Sequence, residues 1–351
     1  MRILMVTPQL PTPARPGSMA PTARQIESIG ALGVQVEVLE IRGVKRLKYL
    51  QCLGSLRSAA RSVDLIHAHY GYCGWLARSQ FGKPVVVSFM GDDLLGTPDA
   101  SGRVCLASRL VVQADRWLAR TVDAVIVKSP EMAQVVAPVK AHVVPNGVDL
   151  QMFQPMEPRQ ARRLLGWPEG RRYVMFPGNP AVPRKGYPLA RAAVERATAR
   201  IPKPVELVTL SGIAPENVPV FMNACDAMLM TSFLEGSPNV VKEAMACNLP
   251  IVSVPVGDVS DLLAGVGGCA LCPRDADALG AALAQVLRER RRTDGRIAVQ
   301  CKGLDLESVA RKVISIYKAV LARRVWQQED SGHRAFDQLA PTGRGPQRGR
   351  G

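Results

Sequence analysis

Residues 233–253 read FLEGSPNVVKEAMACNLPIVS, between the apolar runs DAMLMTS (226–232) and PIVSVPV (250–256). Short apolar runs bounded by turn residues read as buried strands. Gly236, Ser237, Pro238 and Asn239 form a tight loop, and the residues after it have helical composition, with Ser237 or Asn239 suited to cap the helix. Strand, loop, helix and strand in that order are the unit of a parallel sheet. Free main-chain N–H groups at such a helix start, aided by the helix dipole, attract phosphate. Glu235 stands before the loop and Glu243 within the helix, so the two carboxylates address different parts of one ligand. A carboxylate accepts hydrogen bonds from sugar or ribose hydroxyls. The plainer alternative makes Glu235 a helix-start charge and Glu243 a surface residue. Glu243, however, sits among Ala244, Met245 and Ala246, an apolar setting for a surface charge.

The same unit recurs along the chain. RILMVTP (2–8), VQVEVLEI (34–41), DLIHAHY (64–70), KPVVVSF (83–89), DAVIVKS (123–129) and AHVVPNGVD (141–149) read as strands, with helical stretches between them. Pro155, Pro158, Gly166 and Pro168 then mark a connector. RRYVMFP (171–177) opens a second series with its own Gly/Pro-rich loop, GNPAVPRKGYP (178–188). The fold class expected is α/β, two Rossmann-like domains facing across a cleft. Their expected bounds are 1–150 for an acceptor-side domain, 151–171 for a connector and 172–304 for a nucleotide-sugar domain. Residues 305–324 are expected to form a helix packing back on the first domain, and 325–351, rich in Gly, Arg and Pro, a disordered basic tail.

Composition narrows the partners. The 351 residues are 47% apolar and contain no apolar run of membrane-spanning length. The only N-terminal apolar run, 3–6, is broken at once by Pro8, Pro11 and Pro13, which makes the cytoplasm the expected location. Of eight cysteines only Cys269 and Cys272 stand in C-x-x-C spacing, and no second pair completes a zinc site. The 45 basic and 30 acidic residues give +15, which calls for an anionic partner. Aromatic residues make up only 5%, few for stacking on single-stranded nucleic acid, so no nucleic-acid partner is expected. No G-x-G-x-x-G follows Val6 or Phe176, which counts against a dinucleotide, and no P-loop is present.

The segment from Glu235 to Glu243 resembles the E-x7-E signature of retaining glycosyltransferases of the GT-B fold, family 4 (glycosyl transferases group 1) above all. The resemblance extends over about residues 1–321. VPNGVD (144–149), which contains Asn146, resembles that family's PNGVD, and RKG (184–186) sits at its basic diphosphate clamp. Gly17 occupies the loop after the first strand, where the family places a glycine beside donor and acceptor. The resemblance implies Glu235, Lys185 and Arg184 as catalytic. It implies Gly17, Gly178, Asn179, Gly236, Ser237, Pro238, Asn239, Val240 and Glu243 as donor-binding, with Glu235 towards the sugar and Glu243 towards the ribose. The reaction implied moves a sugar, with retention, from a UDP- or GDP-sugar to a glycan or lipid-linked acceptor in surface polysaccharide or glycolipid synthesis. No cofactor or metal is expected beside the nucleotide sugar, because Arg184, Lys185 and the helix N-terminus meet the diphosphate charge. Read alone, Arg184 and Lys185 also fit a solvated loop.

Two departures from the family pattern stand out. Met90 in FMGDD (89–93) takes the place of the family's His, so Asp92 and Asp93 become candidates for sugar or acceptor hydroxyls, a capping role being the alternative. Gly178–Asn179 replaces the usual Gly-Arg, and Arg184 is expected to compensate. His69 of HAH (67–69) and Asn146 complete the acceptor-side or sugar-side candidates. The alternatives are a GT-B UDP-sugar epimerase and a basic nucleic-acid-binding protein on a degenerate transferase scaffold.

Residues 42–61 hold Arg42, Lys45, Arg46, Lys48, Arg57 and Arg61 and no acid, with Leu47, Leu50, Leu53 and Leu56 at every third position. They read as one basic amphipathic helix, either a core helix with a charged outer face or a contact for an anionic membrane surface. Each cation near such a surface is worth about 1 kcal/mol. Replacing Lys45, Arg46 and Lys48 by Ala is therefore expected to release much of the protein from anionic vesicles in co-sedimentation. Failure of the wild type to bind at low salt would make the stretch an ordinary helix face.

Overall fold

The computed structural model describes residues 1–15, 17–44, 47–99 and 103–339. Two parallel sheets account for its architecture. The first has strands β1 (Arg2–Thr7), β2 (Gln35–Glu40), β3 (Leu65–His69), β4 (Val85–Ser88), β5 (Ala124–Val127) and β6 (Ala141–Val143), in the order β2-β1-β3-β4-β5-β6. The second has β7 (Arg172–Phe176), β8 (Val205–Thr209), β9 (Ala227–Met230), β10 (Ile251–Ser253) and β11 (Ala270–Leu271), in the order β11-β10-β9-β7-β8. Covered on both faces, the central strands β3, β4, β7, β9 and β10 are buried throughout, which is why they read as unbroken apolar runs.

The strand orders locate the ligand crevices. In the first sheet the chain moves outward from β1 to β2, then returns to β3 on the other side of β1. The second sheet repeats this with β7, β8 and β9. A crevice forms beyond the carboxyl ends of the strands where the order reverses. The loops after β1, β3, β7 and β9 therefore carry the site. Helix α1 (Ala20–Ala31) follows the first of these loops, α2 (Gly71–Arg78) follows β3, and α3 (Pro130–Val135) follows β5. Helix α4 (Pro158–Leu165) lies in the connector, α5 (Asn239–Ala246) follows β9, and α6 (Ala276–Glu289) follows β11.

The last helix, α7 (Leu306–Leu339), returns to the first domain. Val309, Ala310, Val313, Ile316, Tyr317 and Val320 recur at helical spacing and share a core with Ile3, Met5, Ile29 and Leu65. Its start is held against the end of the first domain, where Val148 N donates to Leu304 O at 2.9 Å and Leu306 N to Val148 O at 3.2 Å. A Cβ on Gly147 would lie 2.9 Å from the Leu306 Cα, so that crossing admits only glycine. The helix runs past residue 324 to Leu339, a correction to the expected bound, and 340–351 lie outside the described residues.

The basic stretch is not one helix. It forms two short ones, Lys48–Gln51 and Leu53–Ala59; Leu56 is buried, whereas Leu47 and Leu50 are exposed. Lys45 and Arg46 lie outside the described residues. No helix among the described residues is long and apolar enough to cross a membrane.

One polar link ties α7 to the first sheet. His67 Nδ1 lies 2.5 Å from the Tyr317 hydroxyl and His67 Nε2 lies 2.7 Å from Ser88 Oγ, all buried. Burial, then His69 and Lys128, pull the His67 pKa well below its ordinary value, so the ring is neutral. Tyr317→Phe strands one ring nitrogen in the core and is expected to cost about 1–3 kcal/mol in urea unfolding. An unchanged midpoint would show that the contact contributes nothing.

Candidate functional site

The facing loops enclose a cavity of about 560 Å3 between the domains. Of the residues singled out from the sequence, Gly17, Asn146, Arg184, Lys185, Glu235, Gly236, Ser237, Pro238, Asn239, Val240 and Glu243 line it. Met90, at the position of the missing His, lines it too. Gly178 and Asn179 do not, although their neighbour Pro177 does. Asn179 Oδ1 instead accepts from Ala181 N at 2.9 Å, turning its own loop.

The basic pair and the first glutamate are one unit. Lys185 Nζ lies 2.6 Å and Arg184 Nη1 3.0 Å from the same oxygen, Glu235 Oε1. Burial pushes the Glu235 carboxyl up, but Lys185 and Arg184 outweigh it and hold the group below its usual value. The main chain fixes this clamp. Phe233 N donates to Arg184 O at 2.8 Å, and Thr231 Oγ1 donates to the carbonyls of Lys185 and Gly186 at 3.1 and 3.0 Å. Gly186 is left-handed at φ 69°, and a Cβ there would strike the Thr231 carbonyl.

Pro238 stands at the N-cap of α5 and there is no side-chain cap, a correction to the cap expected from Ser237 or Asn239. Ser237 Oγ is engaged elsewhere, accepting from the buried Lys242 Nζ at 3.0 Å. Asn239 Oδ1 is buried with no partner. The first turn of α5 thus presents uncapped main-chain donors to the cavity.

Glu243 is bound from the other domain. Arg24 Nη1 of α1 lies 3.0 Å from Glu243 Oε1, and the Arg24 guanidinium lies 5.3 Å from the centroid of the Phe153 ring. Burial raises the Glu243 pKa, and Arg24 offsets part of that rise. Sequence reading missed Arg24 and Phe153. A lone arginine on a polar helix face carries no signal of a partner 219 positions away.

The remaining acceptor-side candidates separate. Asp92 and Asp93 line a second cavity of about 420 Å3, which meets the first at Met19 and Tyr70. Asp92 is exposed, whereas Asp93 is buried and its carboxylate accepts from Met90 N and Gly91 N at 3.0 and 2.9 Å. Burial raises its pKa to about 6 against those hydrogen bonds. Asp93 therefore shapes the loop that carries Met90. His69 lines neither cavity: it is fully buried, both ring nitrogens lack partners, and its ring lies 4.5 Å from that of His67. Tyr70, which sequence reading passed over, stands at φ 72° and ψ 151°, a region almost reserved for glycine, where the two cavities join.

Two buried lysines face each other's domains behind the Gly236 loop. Lys128 follows β5 directly, its Nζ 3.4 Å from the Val144 carbonyl. Burial, then the charge of Lys242 from α5, lower its pKa to about 7, opposed by Asp93. Lys242 is itself lowered by burial to about 8, opposed by Asp258 and Glu243. A Cβ on Gly236 would lie 3.0 Å from Met132 Sδ of α3 and 3.6 Å from the Gly91 Cα, so the domains approach closely here.

Comparison with known proteins is consistent across both halves. Residues 6–152 match the family model described as Glycosyltransferase Family 4, and residues 174–289 that described as Glycosyl transferases group 1. The D-inositol 3-phosphate glycosyltransferase of Segniliparus rotundus is 29% identical over 74% of this chain and 66% of its own length. That of Mycolicibacterium paratuberculosis is 27% identical over 64% and 59%. The chain thus spans less than two thirds of the length of these curated relatives. Among solved structures, a sucrose-phosphate synthase from Thermosynechococcus elongatus superposes with a TM-score of 0.74 at 19% identity, covering 92% of this chain and 99% of that one. HepE of Anabaena, in complex with UDP-glucose, gives 0.69 at 18%, covering 91% and 100%. These likenesses establish the GT-B fold.

The interface lysines give a direct test of the electrostatics. Lys128 has a folded pKa of about 7 against an ordinary 10.5. As pH falls through that window the unfolded chain takes up a proton that the folded chain refuses, so stability falls, and below it the loss is complete. Lys128→Met is expected to be more stable than the wild type near pH 7. The gap should narrow by up to about 1.4 kcal/mol per pH unit on raising the pH to 9. A gap in urea melts that does not change with pH would contradict the assignment.

Proposed function

Taking as premise that the chain belongs to the family-4, group-1 glycosyltransferases through both of its domains, we propose that it moves a sugar from a nucleoside-diphosphate sugar to a hydroxyl acceptor, with retention at the anomeric carbon. The observation that carries this reading is the clamp: Arg184 and Lys185 fixed on Glu235 at the wall of the interdomain cavity. The leaving group of such a transfer is a nucleoside diphosphate. Two cations held in place beforehand, together with the uncapped start of α5, stabilise the charge that develops on it. Arg184 binds phosphate as a fork and Lys185 as a point charge.

Glu235 carries two ion pairs and a lowered pKa, which makes it a poor proton acceptor. The acceptor's proton then passes to a phosphate oxygen of the departing diphosphate, on the face the acceptor attacks. This order of events keeps the anomeric configuration and needs no separate base. Glu243 takes the ribose hydroxyls, and the base lies against the apolar wall of Pro177, Leu210 and Ile213. A UDP-sugar donor is supported by the likeness to HepE, whose structure holds UDP-glucose.

The acceptor enters the second cavity. Tyr49, Tyr70 and Tyr72 line it beside Asp92, and no lysine or arginine does so among the described residues. Aromatic faces and a carboxylate suit a neutral sugar of a free or lipid-linked glycan better than a phosphorylated polyol. The exposed Leu47 and Leu50 in the basic stretch support docking on an anionic leaflet, where lipid-linked acceptors are found.

Lys185→Ala is expected to lower turnover with UDP-glucose roughly 100-fold or more while leaving the thermal melt in place. Near wild-type turnover would remove the clamp from the mechanism. Glu243→Gln is expected to weaken calorimetric binding of UDP strongly, and Glu235→Gln to weaken it less, through the loosened clamp, but to impair transfer. Equal losses of UDP affinity would contradict this division of roles.

A further inference from the structure

Because the strands of the second sheet are parallel, their amino ends all lie on the side away from the cleft. Arg172 opens β7, Lys203 precedes β8 and Asp226 precedes β9. Together with α4 and the chain beyond α6 they enclose a concavity of about 310 Å3 that shares no residue with either cavity of the cleft. Eight of its lining residues are Arg or Lys, and only Glu157, Glu169 and Asp226 are acidic.

The floor is short of negative charge. Asp226 Oδ2 accepts from Arg162 Nη2 at 2.8 Å and from Tyr173 N at 2.8 Å. Arg172 Nη1 remains 3.8 Å from the same carboxylate, beyond hydrogen-bond reach. Arg292 gives one nitrogen to the Asn223 carbonyl, while its Nη1 is buried with no partner. Three guanidinium groups thus share one carboxylate, and Arg162 and Arg172 are only 7% and 8% exposed. Burial lowers the pKa of both Arg172 and Arg292, and Asp226 works against it. Buried charge without a partner is costly, so a surplus of two cations at this depth calls for an anion. The rim adds Arg159, Lys203, Arg290 and Arg291, all exposed and none in an ion pair among the described residues.

We propose that this concavity is a second anion site, built for a compact phosphate-type group such as a phosphomonoester or a diphosphate. Guanidinium forks match phosphate oxygens in pairs. The recessed floor suits a group that projects into it, whether from a soluble phosphate compound or from the head of a phospholipid.

The test is calorimetric titration of inorganic pyrophosphate at low salt into Lys185→Ala protein, in which the clamp of the cleft is weakened. Saturable binding is expected, and adding Arg172→Gln on the floor should weaken it at least tenfold. Adding Arg159→Gln with Arg291→Gln on the rim should do the same. The rim side chains are exposed, so that pair keeps the test valid if the floor variant unfolds. Sedimentation with phosphatidic acid vesicles separates the sources. Vesicle binding that pyrophosphate displaces assigns the site to a lipid phosphate, and its absence beside pyrophosphate binding assigns it to a soluble one. No saturable pyrophosphate binding, or binding indifferent to the rim variant, overturns the proposal.

Discussion

A single carboxylate oxygen, Glu235 Oε1, holds two cations at once. Arg184 and Lys185 come from the loop after β7, and Glu235 comes from the loop after β9. The reversal of strand order brings those two loops together. Without the carboxylate, two adjacent positive charges would repel each other in a setting that already penalises charge. With it, they are oriented before any ligand arrives. The main-chain bonds from Phe233 and Thr231 make the loops themselves part of the clamp, so its geometry is inherited from the sheet.

The same economy governs the contact between domains. The Gly236 loop, which lines the cavity, also meets Gly91 and Met132, a spacing that a side chain at residue 236 would disturb. Arg24 crosses from α1 to Glu243, and α7 crosses back beneath the first sheet. The cleft is therefore bounded by links that differ in kind. An ion pair and a close main-chain approach lie at the site, and an apolar helix face lies far from it. A ligand that engages Glu243 meets Arg24 as well, so the role proposed for Glu243 would couple nucleotide affinity to domain spacing through one pair of side chains.

What the sequence disclosed follows from range. The segment 233–253 keeps strand, loop, helix and both glutamates within a few turns of chain, so its chemistry was readable in place. The alternation of apolar runs and helical stretches gave both sheets for the same reason. Long-range placements were not readable. Arg24 is defined by its partner, Glu243, which no local pattern announces. His69 of HAH is an acceptor-side candidate only through the family resemblance. Its strand is central and buried on both faces, which leaves His69 without a route to either cavity. For Asp93 the sequence leaves hydroxyl binding and a structural role both open, and the loop uses the carboxylate to gather two main-chain donors. Ser237 was suited to cap a helix until a buried lysine from that helix claimed its oxygen.

The central claim is that the clamp and the facing acceptor cavity carry out same-face sugar transfer. The most direct measurement follows the anomeric proton by 1H NMR while the protein acts on UDP-glucose and a neutral glycan acceptor. The account predicts a glycoside with the anomeric configuration of the donor, formed in step with release of UDP. An inverted anomer, or release of UDP with free glucose alone, would contradict it.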